Sequence, residues 1–208
     1  MKIDICTIEE SGVTKEQVLS LIKLAFQERK DAGLNYGCLS LSYDGFLREI
    51  RDSIIFVAID QSSGVLCGCT VLLIRNTKKG VLYGKEKHTS VHPEYKGHGI
   101  GSLLINALRN KAVEQNCDYL CCSTAVDADS AVKVHLKNGY QIVGLKSFKS
   151  TNYYSYLFRM QLKPSQWSDP SFCKKQYKKS ARRVRIAYKK DGSRTIVGRV
   201  LLKVGVKW

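Results

Sequence analysis

The chain has 208 residues, 44% of them hydrophobic and 25% charged, the size and mix of one large globular domain or a domain with an appendage. No apolar run approaches the ~18 residues of a membrane span, and no early basic, apolar and small-residue pattern marks a secretory leader, so a cytoplasmic location is expected. The net charge of +16 is uneven: residues 1–162 hold 20 Lys+Arg against 16 Asp+Glu, whereas residues 163–208 hold 14 against 2, which predicts a separate basic C-terminal unit.

In chain order, Lys2 to Ile8 alternates as a first strand. Thr14-Lys-Glu-Gln17 is a capping-box pattern, and Val18, Leu21, Ile22 and Ala25 extend a helical face to about Arg29. Asp31 to Asp44, interrupted by Gly33, Asn35 and Gly37, reads as a loop or broken helix, followed by a short helix from Phe46 to Arg51. Strands Ile54–Ile59 and Val65–Arg75 flank the turn Gln61–Gly64, and Val81–Val91 follows the polar turn 76–80. A glycine loop and a helix to about Asn116 come next, then a short apolar strand from Asp118 to Thr124. Asp127 or Asp129 can cap a helix ending near Asn138, with Gly139 as its left-handed terminator. Gln141–Phe148 and Tyr153–Leu162 are the last strands of this part. Eight cysteines are present, but no C-x-x-C pair begins a zinc or redox motif, so reduced, buried thiols and no metal are expected.

The stretch Thr89 to Leu108 carries the chemistry. Pro93 cannot donate to a sheet ladder and closes the strand, while Ile100, Leu103, Leu104, Ala107 and Leu108 form one face of the following helix. Gly97, Gly99 and Gly101 lie between. Free amides and the positive end of a helix dipole thus meet at one point, which suits a phosphate or pyrophosphate. The spacing is neither G-x-x-x-x-G-K-[ST] nor G-x-G-x-x-G, so the triphosphate loop and the dinucleotide fingerprint are both excluded.

This loop resembles the acyl-CoA loop of the GNAT acetyltransferase superfamily, V-x-P-x-[YF]-[RQ]-G-x-G-[IL]-G, through Val91, Pro93, Tyr95, Gly97, Gly99, Ile100 and Gly101. Lys96 stands where Arg or Gln is usual, which keeps a donor but loses the planar fork. A second motif of the family, N-x-x-A-x-x-[FL]-Y-x-K-x-G-F, matches at Ala131, Lys137, Gly139 and Tyr140, but Ala128 and His135 replace its Asn and Tyr. The resemblance covers about residues 1–162. It implies an α/β GNAT fold: a mixed, mostly antiparallel central sheet with helices on both faces. It also implies acetyl-CoA as acyl donor, bound by Lys96, Gly97, His98, Gly99, Ile100, Gly101 and Ser102, with freed backbone at Ser90 and Val91 pairing the pantetheine arm.

Transfer of an acyl group from a thioester to an amine needs a neutral amine, a polarised carbonyl and a stabilised thiolate. His135, at the family's tyrosine position, is a candidate acid toward the leaving sulfur; packing and hydrogen bonding on its helical face is the other reading. Glu86 and His88, on one strand face by period-two alternation, are candidate bases for the acceptor ammonium, or else solvated polar residues. Glu94 and His98 are expected to face solvent, and Tyr83 and Tyr140 to be core aromatics.

Residues 163–208 lie outside the resemblance. Pro164 to Pro170 reads as a linker, and Phe172 to Arg183 as a helix with Lys174, Lys175, Lys178, Lys179, Arg182 and Arg183 at helical intervals. Val184–Tyr188 and Thr195–Val200 read as a hairpin about Asp191-Gly192, with Leu201–Trp208 as a further strand. Basic and aromatic residues interleaved in this way suit a nucleic acid or another polyanion, or a face packed on the core or on a second subunit in a homodimer. The expected activity is acetyl-CoA-dependent N-acetylation of a primary amine on a small molecule, such as an amino sugar or nucleotide-linked sugar. The alternative is a weakly or non-catalytic GNAT-fold module that attaches to polyanions through its tail.

Overall fold

The computed structural model describes residues 1–148, 151–189, 191, 193–195 and 197. Seven strands form one sheet in the order β1-β2-β3-β4-β5-β7-β6. They are β1 (Ile3–Thr7), β2 (Ser53–Asp60), β3 (Leu66–Asn76), β4 (Leu82–Val91), β5 (Tyr119–Ala125), β6 (Gln141–Ser147) and β7 (Tyr154–Gln161). Every neighbouring pair is antiparallel except β4 and β5. The helices are α1 (Ile8–Ser11), α2 (Lys15–Asp31), α3 (Tyr43–Glu49), α4 (Ile100–Glu114), α5 (Asp129–Lys137) and α6 (Pro170–Ala187). This is the α/β GNAT fold, with a mostly antiparallel sheet covered by helices on both faces.

Strand alternation divides the core into two layers. Ile55, Val57, Cys69, Val71 and Leu73 pack with Val18, Leu21, Ile22 and Phe46 on the α2–α3 face. Phe56, Ala58, Leu72, Leu120 and Phe158 pack with Ile100, Leu104, Ile105 and Leu108 on the α4 face. The Thr14 capping box is formed, its hydroxyl accepting from the Gln17 amide while Gln17 Oε1 accepts from the Thr14 amide. Gly139 takes φ +92 just past α5.

Three expectations are corrected. The third helix starts at Tyr43 and ends at Glu49 because Ser42 caps it, its hydroxyl accepting from the Gly45 amide. At α5 neither Asp127 nor Asp129 caps: Ala128 occupies the N-cap and Asp129 is already the first helical residue. Val184–Ala187, expected as a strand, continues α6, since the face that carries buried Cys173 and Ala181 extends further to buried Ala187. The polar turn behind it exists, with Lys189 N–H donating to Ser193 O and Tyr188 bridging Arg194. The expected strands Thr195–Val200 and Leu201–Trp208 fall outside the described residues, apart from Thr195 and Val197.

The helix α6 lies on β6. Ser180 Oγ accepts from the Leu145 amide at 3.0 Å and donates to the Leu145 carbonyl at 2.8 Å. Tyr154 donates its hydroxyl to the Tyr188 carbonyl at 2.6 Å. The expected linker contains a short turn at Gln166–Ser168, and Trp167 there lies under the Arg159 guanidinium.

Candidate active site

Two local departures from a regular sheet create the site. The parallel pairing of β4 with β5 spans Tyr83–Tyr119, Gly84–Leu120 and Lys85–Cys121 and stops there. Beyond it the two strands diverge, so their facing backbone groups are left without each other. The second departure is a bulge in β4. Cys69 pairs with Ser90 and Val71 with Lys87, so Thr70 alone stands opposite His88 and Thr89. His88 takes φ +54, a left-handed conformation uncommon for a residue with a Cβ.

The bulge overturns the expectation that Glu86 and His88 share a face. Glu86 points toward α5. His88 turns to the other side, where its ring meets Phe46 edge-on at 6.0 Å and its Nε2 lies 3.4 Å from Glu49 Oε1. That nitrogen is buried without a hydrogen-bond partner. Burial, and then the charge of Lys87, push the His88 pKa down to about 4, so the ring is neutral at physiological pH. Lys87 is itself ion-paired with Glu49.

Glu86 and His135 come together as a buried pair. His135 Nε2 lies 3.0 Å from Glu86 Oε1, and His135 Nδ1 lies 2.7 Å from the Ala131 carbonyl. Both ring nitrogens face acceptors, so the contacts are satisfied by an imidazolium that donates twice. Burial opposes the charge on His135, but the Glu86 bond and charge and the Ala131 carbonyl outweigh it and raise the pKa above the ordinary value. Burial would likewise raise the Glu86 carboxyl. Donors from His135, Thr89 and Tyr140 win and hold it below the usual carboxylate value. Tyr140 donates to Glu86 Oε2 at 2.6 Å and Thr89 to Oε1 at 2.5 Å.

The glycine loop stands at the α4 end of the same opening. Gly97 and Gly99 have φ +85 and +80, which only glycine adopts without strain, and Gly99 is the N-cap of α4. Among the described residues, the amides of 97–101 donate to no protein acceptor. A Cβ on Gly101 would meet nothing closer than Val134 Cγ1 at 3.5 Å. Space and free donors thus coincide, and the loop fits a pyrophosphate. Ile100 is buried core, whereas His98 and Glu94 are exposed as expected. Lys96 pairs with Glu28 across the loop at 2.5 Å, and the Ser102 hydroxyl accepts from Asn138 Nδ2 at 2.9 Å. Ser90 is buried, donating to the His88 carbonyl at 3.0 Å, and Val91 ends the strand.

Between these parts runs a cleft of about 740 Å³ that reaches Glu86, His88 and His135. Its lining includes Arg29, Lys85, Lys87, Lys146 and Arg159, with Glu86 as its one carboxylate among the described residues. Tyr83, expected in the core, is half-buried in this lining and stacks on Tyr119 at 5.1 Å, because odd-numbered β4 residues there face away from α4. Arg159 covers the other face of Tyr119 at 3.4 Å. Tyr140 is core, yet its hydroxyl serves Glu86. The roles of Thr89 and Cys122 beside Glu86 escape sequence reasoning, since the bulge that brings Thr89 there has no composition signal.

A fold with diverging β4 and β5 strands and a glycine-capped α4 defines an acyl-transfer scaffold, and the comparisons with known proteins agree. The family model described as the Acetyltransferase (GNAT) family matches residues 18–140; the chain belongs to this family and is an acyltransferase. It is similar to N-alpha-acetyltransferase 30 of Saccharomyces cerevisiae, 26% identical over 129 residues, covering 61% of this chain and 70% of that protein. Among solved structures it resembles a chain of the NatC complex bound to Gag peptide and CoA (22% identity, TM-score 0.59, 78% of this chain and 100% of that one). It also resembles a GNAT acetyltransferase from Elizabethkingia anophelis with acetyl-CoA bound (17% identity, TM-score 0.58, 77% and 98%). Among the described residues no helix is long and apolar enough to cross a membrane.

Proposed function

We propose that the protein transfers the acetyl group of acetyl-CoA to the primary amine of a small anionic molecule, such as an amino sugar or nucleotide-linked sugar. The observation that carries this reading is the cleft lining, where Arg29, Lys85, Lys146 and Arg159 stand beside Lys87, itself paired with Glu49, against one lining carboxylate that already has three donors. Stacked Tyr83 and Tyr119 offer a flat surface for a ring. The donor brings an acetyl thioester. In this reading the amides of Gly97, His98, Gly99, Ile100 and Gly101 hold its pyrophosphate, with Lys96 released from Glu28 and Ser102 beside them. The free edge of β4 at Ser90 and Val91 pairs with its amide arm.

The new C–N bond forms as the C–S bond breaks, the acceptor ammonium loses two protons and the departing thiolate gains one. His135, kept charged by Glu86, gives its Nε2 proton to the departing thiolate. Glu86 is a positioning residue, since both of its oxygens already accept hydrogen bonds from side chains of the protein. Of the two protons that the acceptor ammonium loses, one passes before attack to neutral His88 and on toward Glu49 and solvent, and the other, lost from nitrogen as the amide forms, recharges His135. A base with a pKa of about 4 relays a proton rather than keeping it, so the route onward is part of the reading.

The outer face of α6 favours a second partner. Lys174, Lys175, Lys178, Lys179, Arg182 and Arg183 are exposed there, and among the described residues none pairs with a carboxylate. A polyanion such as a nucleic acid fits this face, with binding that weakens steeply as salt rises.

The test is an acceptor screen that follows release of the CoA thiol across amine classes at fixed acetyl-CoA. Anionic amino sugars are expected to exceed neutral amines by at least ~10-fold in kcat/KM, about 1.4 kcal/mol. A preference for peptide α-amines or for uncharged amines would overturn the small-anion assignment.

A further inference from the structure

Beside the His135–Glu86 pair at the floor of the cleft stands a thiol, Cys122, that acyl transfer does not use. Cys122 Sγ, a carboxylate oxygen of Glu86 and a ring nitrogen of His135 lie within 4.8 Å of one another, and His135 Nε2 is 3.0 Å from Glu86 Oε1. They come from three elements, β5, β4 and α5, that the core fixes in place. We propose that these three side chains bind a zinc ion, so that the acetyltransferase carries an inhibitory metal site at its catalytic pair.

The geometry is close to what the ion requires. Tetrahedral zinc, with bonds of about 2.0–2.3 Å to nitrogen, oxygen and sulfur, separates its ligand atoms by about 3.4–3.6 Å. The His135–Glu86 contact of 3.0 Å must open slightly and the thiol must close in, changes on the scale of side-chain torsions. The groups behind the ligands are already placed as metal sites place them. His135 Nδ1 is held by the Ala131 carbonyl at 2.7 Å, which directs Nε2 inward. Tyr140 holds Glu86 through Oε2, and Thr89 donates to Oε1, the oxygen that faces His135. All three ligands line the cleft, so the fourth position of the ion opens onto it.

Charge balance removes the usual penalty for burying an ion. Before binding, the cluster holds an imidazolium, a carboxylate and a thiol, for a net charge of zero. Burial and the Glu86 charge keep Cys122 protonated. Zinc displaces one proton from His135 Nε2 and one from Cys122 Sγ, and both go to solvent. The loaded site holds two positive charges on the ion, one thiolate and one carboxylate, and is again neutral. A thiolate with an imidazole selects zinc over magnesium or calcium, which prefer oxygen ligands alone.

Binding does not depend on the acyl-transfer reading, but inhibition does: an ion on Nε2 removes the proton that His135 would give to the thiolate. The experiment is therefore calorimetric titration of the full, reduced chain with zinc chloride, in two buffers of different ionisation enthalpy, without acetyl-CoA. One ion per chain and release of about two protons are expected. Cys122→Ser, which keeps size and hydrogen bonding, should weaken binding by ~100-fold or more. Cobalt(II) bound to the unaltered chain should show a thiolate-to-metal charge-transfer band that Cys122→Ser abolishes. No binding overturns the proposal, as does binding that survives in Cys122→Ser with its cobalt band intact. Should Cys122→Ser fail to fold, His135→Gln serves instead, and undiminished zinc binding there is equally fatal. Zinc that binds at this site yet leaves turnover unchanged would retain the site and remove its inhibitory role.

Discussion

Replacing Glu86 with Gln keeps the shape of the buried cluster and removes its charge. In the wild type the carboxylate holds His135 above its ordinary pKa against the opposing effect of burial. Without that charge burial prevails, so His135 becomes neutral at pH 7, with Nδ1–H still bonded to Ala131 and Nε2 bare. The introduced carboxamide can donate to that bare nitrogen while its carbonyl accepts from Tyr140, so the hydrogen bond reverses rather than disappears. Breaking a buried ion pair costs ~3–5 kcal/mol when the surviving charge is stranded. Here the imidazolium sheds its proton, and a loss of ~1–3 kcal/mol in unfolding free energy is expected.

The kinetic effect is larger: kcat should fall by ~10²–10⁴-fold, the usual consequence of losing a general acid. The pH signature separates this from general damage. His135 has a raised folded pKa, so its contribution to stability is fully present below ~6.5 and is lost as pH rises through the raised value. Glu86 has a lowered one, so its contribution is present above ~4.3 and is lost as pH falls through the depressed value. Both slopes should vanish in Glu86→Gln, and the residual activity should recover toward acid as His135 is reprotonated. CoA-thiol release measured from pH 5 to 9, beside urea unfolding at each pH, reads both. A folded Glu86→Gln enzyme with wild-type kcat and an unmoved alkaline limb would refute the assignment of His135 as acid. His135→Ala should show the same rate loss, and His135→Tyr should restore part of the rate with its limb shifted toward a phenol pKa of about 10.

Gly101→Val tests the loop without the confusion of backbone strain, because Gly101 does not have positive φ and a Cβ there meets only Val134 at 3.5 Å. Calorimetry should show acetyl-CoA binding weakened by ~100-fold, about 2.7 kcal/mol, and unchanged affinity would end the pyrophosphate assignment. Truncation to residues 1–164 should leave a folded domain, since the seven strands are complete by Gln161, but should cost ~2–4 kcal/mol for the Ser180 bonds to Leu145 and the buried face of α6. A truncated chain that is unfolded by circular dichroism would place the basic segment inside the folding unit.

Most of the fold is legible in the sequence because its determinants are local. The Thr14–Gln17 box, the alternation along β2 and β3 and the glycines before α4 each constrain a few neighbouring residues, and the sheet follows from their order. The places that escape are decided by contacts distant in sequence. Val184–Ala187 has β-branched residues that suit a strand, yet it stays helical because α6 lies along β6 and its buried stripe continues to Ala187. The cap of α5 is misjudged for a related reason: Ala128 is buried at the N-cap position, where neighbouring packing rather than side-chain oxygen sets the start.

The site illustrates the same limit at finer scale. His135, Glu86 and His88 are all singled out by residue type and position, but their division of labour depends on one unpaired residue in β4. Strict alternation would put His88 beside Glu86, where a second imidazole would compete for the carboxylate and face His135 across it. The bulge sends His88 to the α3 side and brings Thr89 to Glu86 in its place. One histidine is therefore charged and the other neutral, although both rings are largely shielded from water: the first is hydrogen-bonded to Glu86, whereas the second is buried beside the charge of Lys87 and makes no hydrogen bond to Glu49. Acyl transfer to an ammonium requires an acid and a base at the same pH, and in the mechanism we propose a single backbone irregularity separates the two by sending the second histidine to the opposite face of the strand.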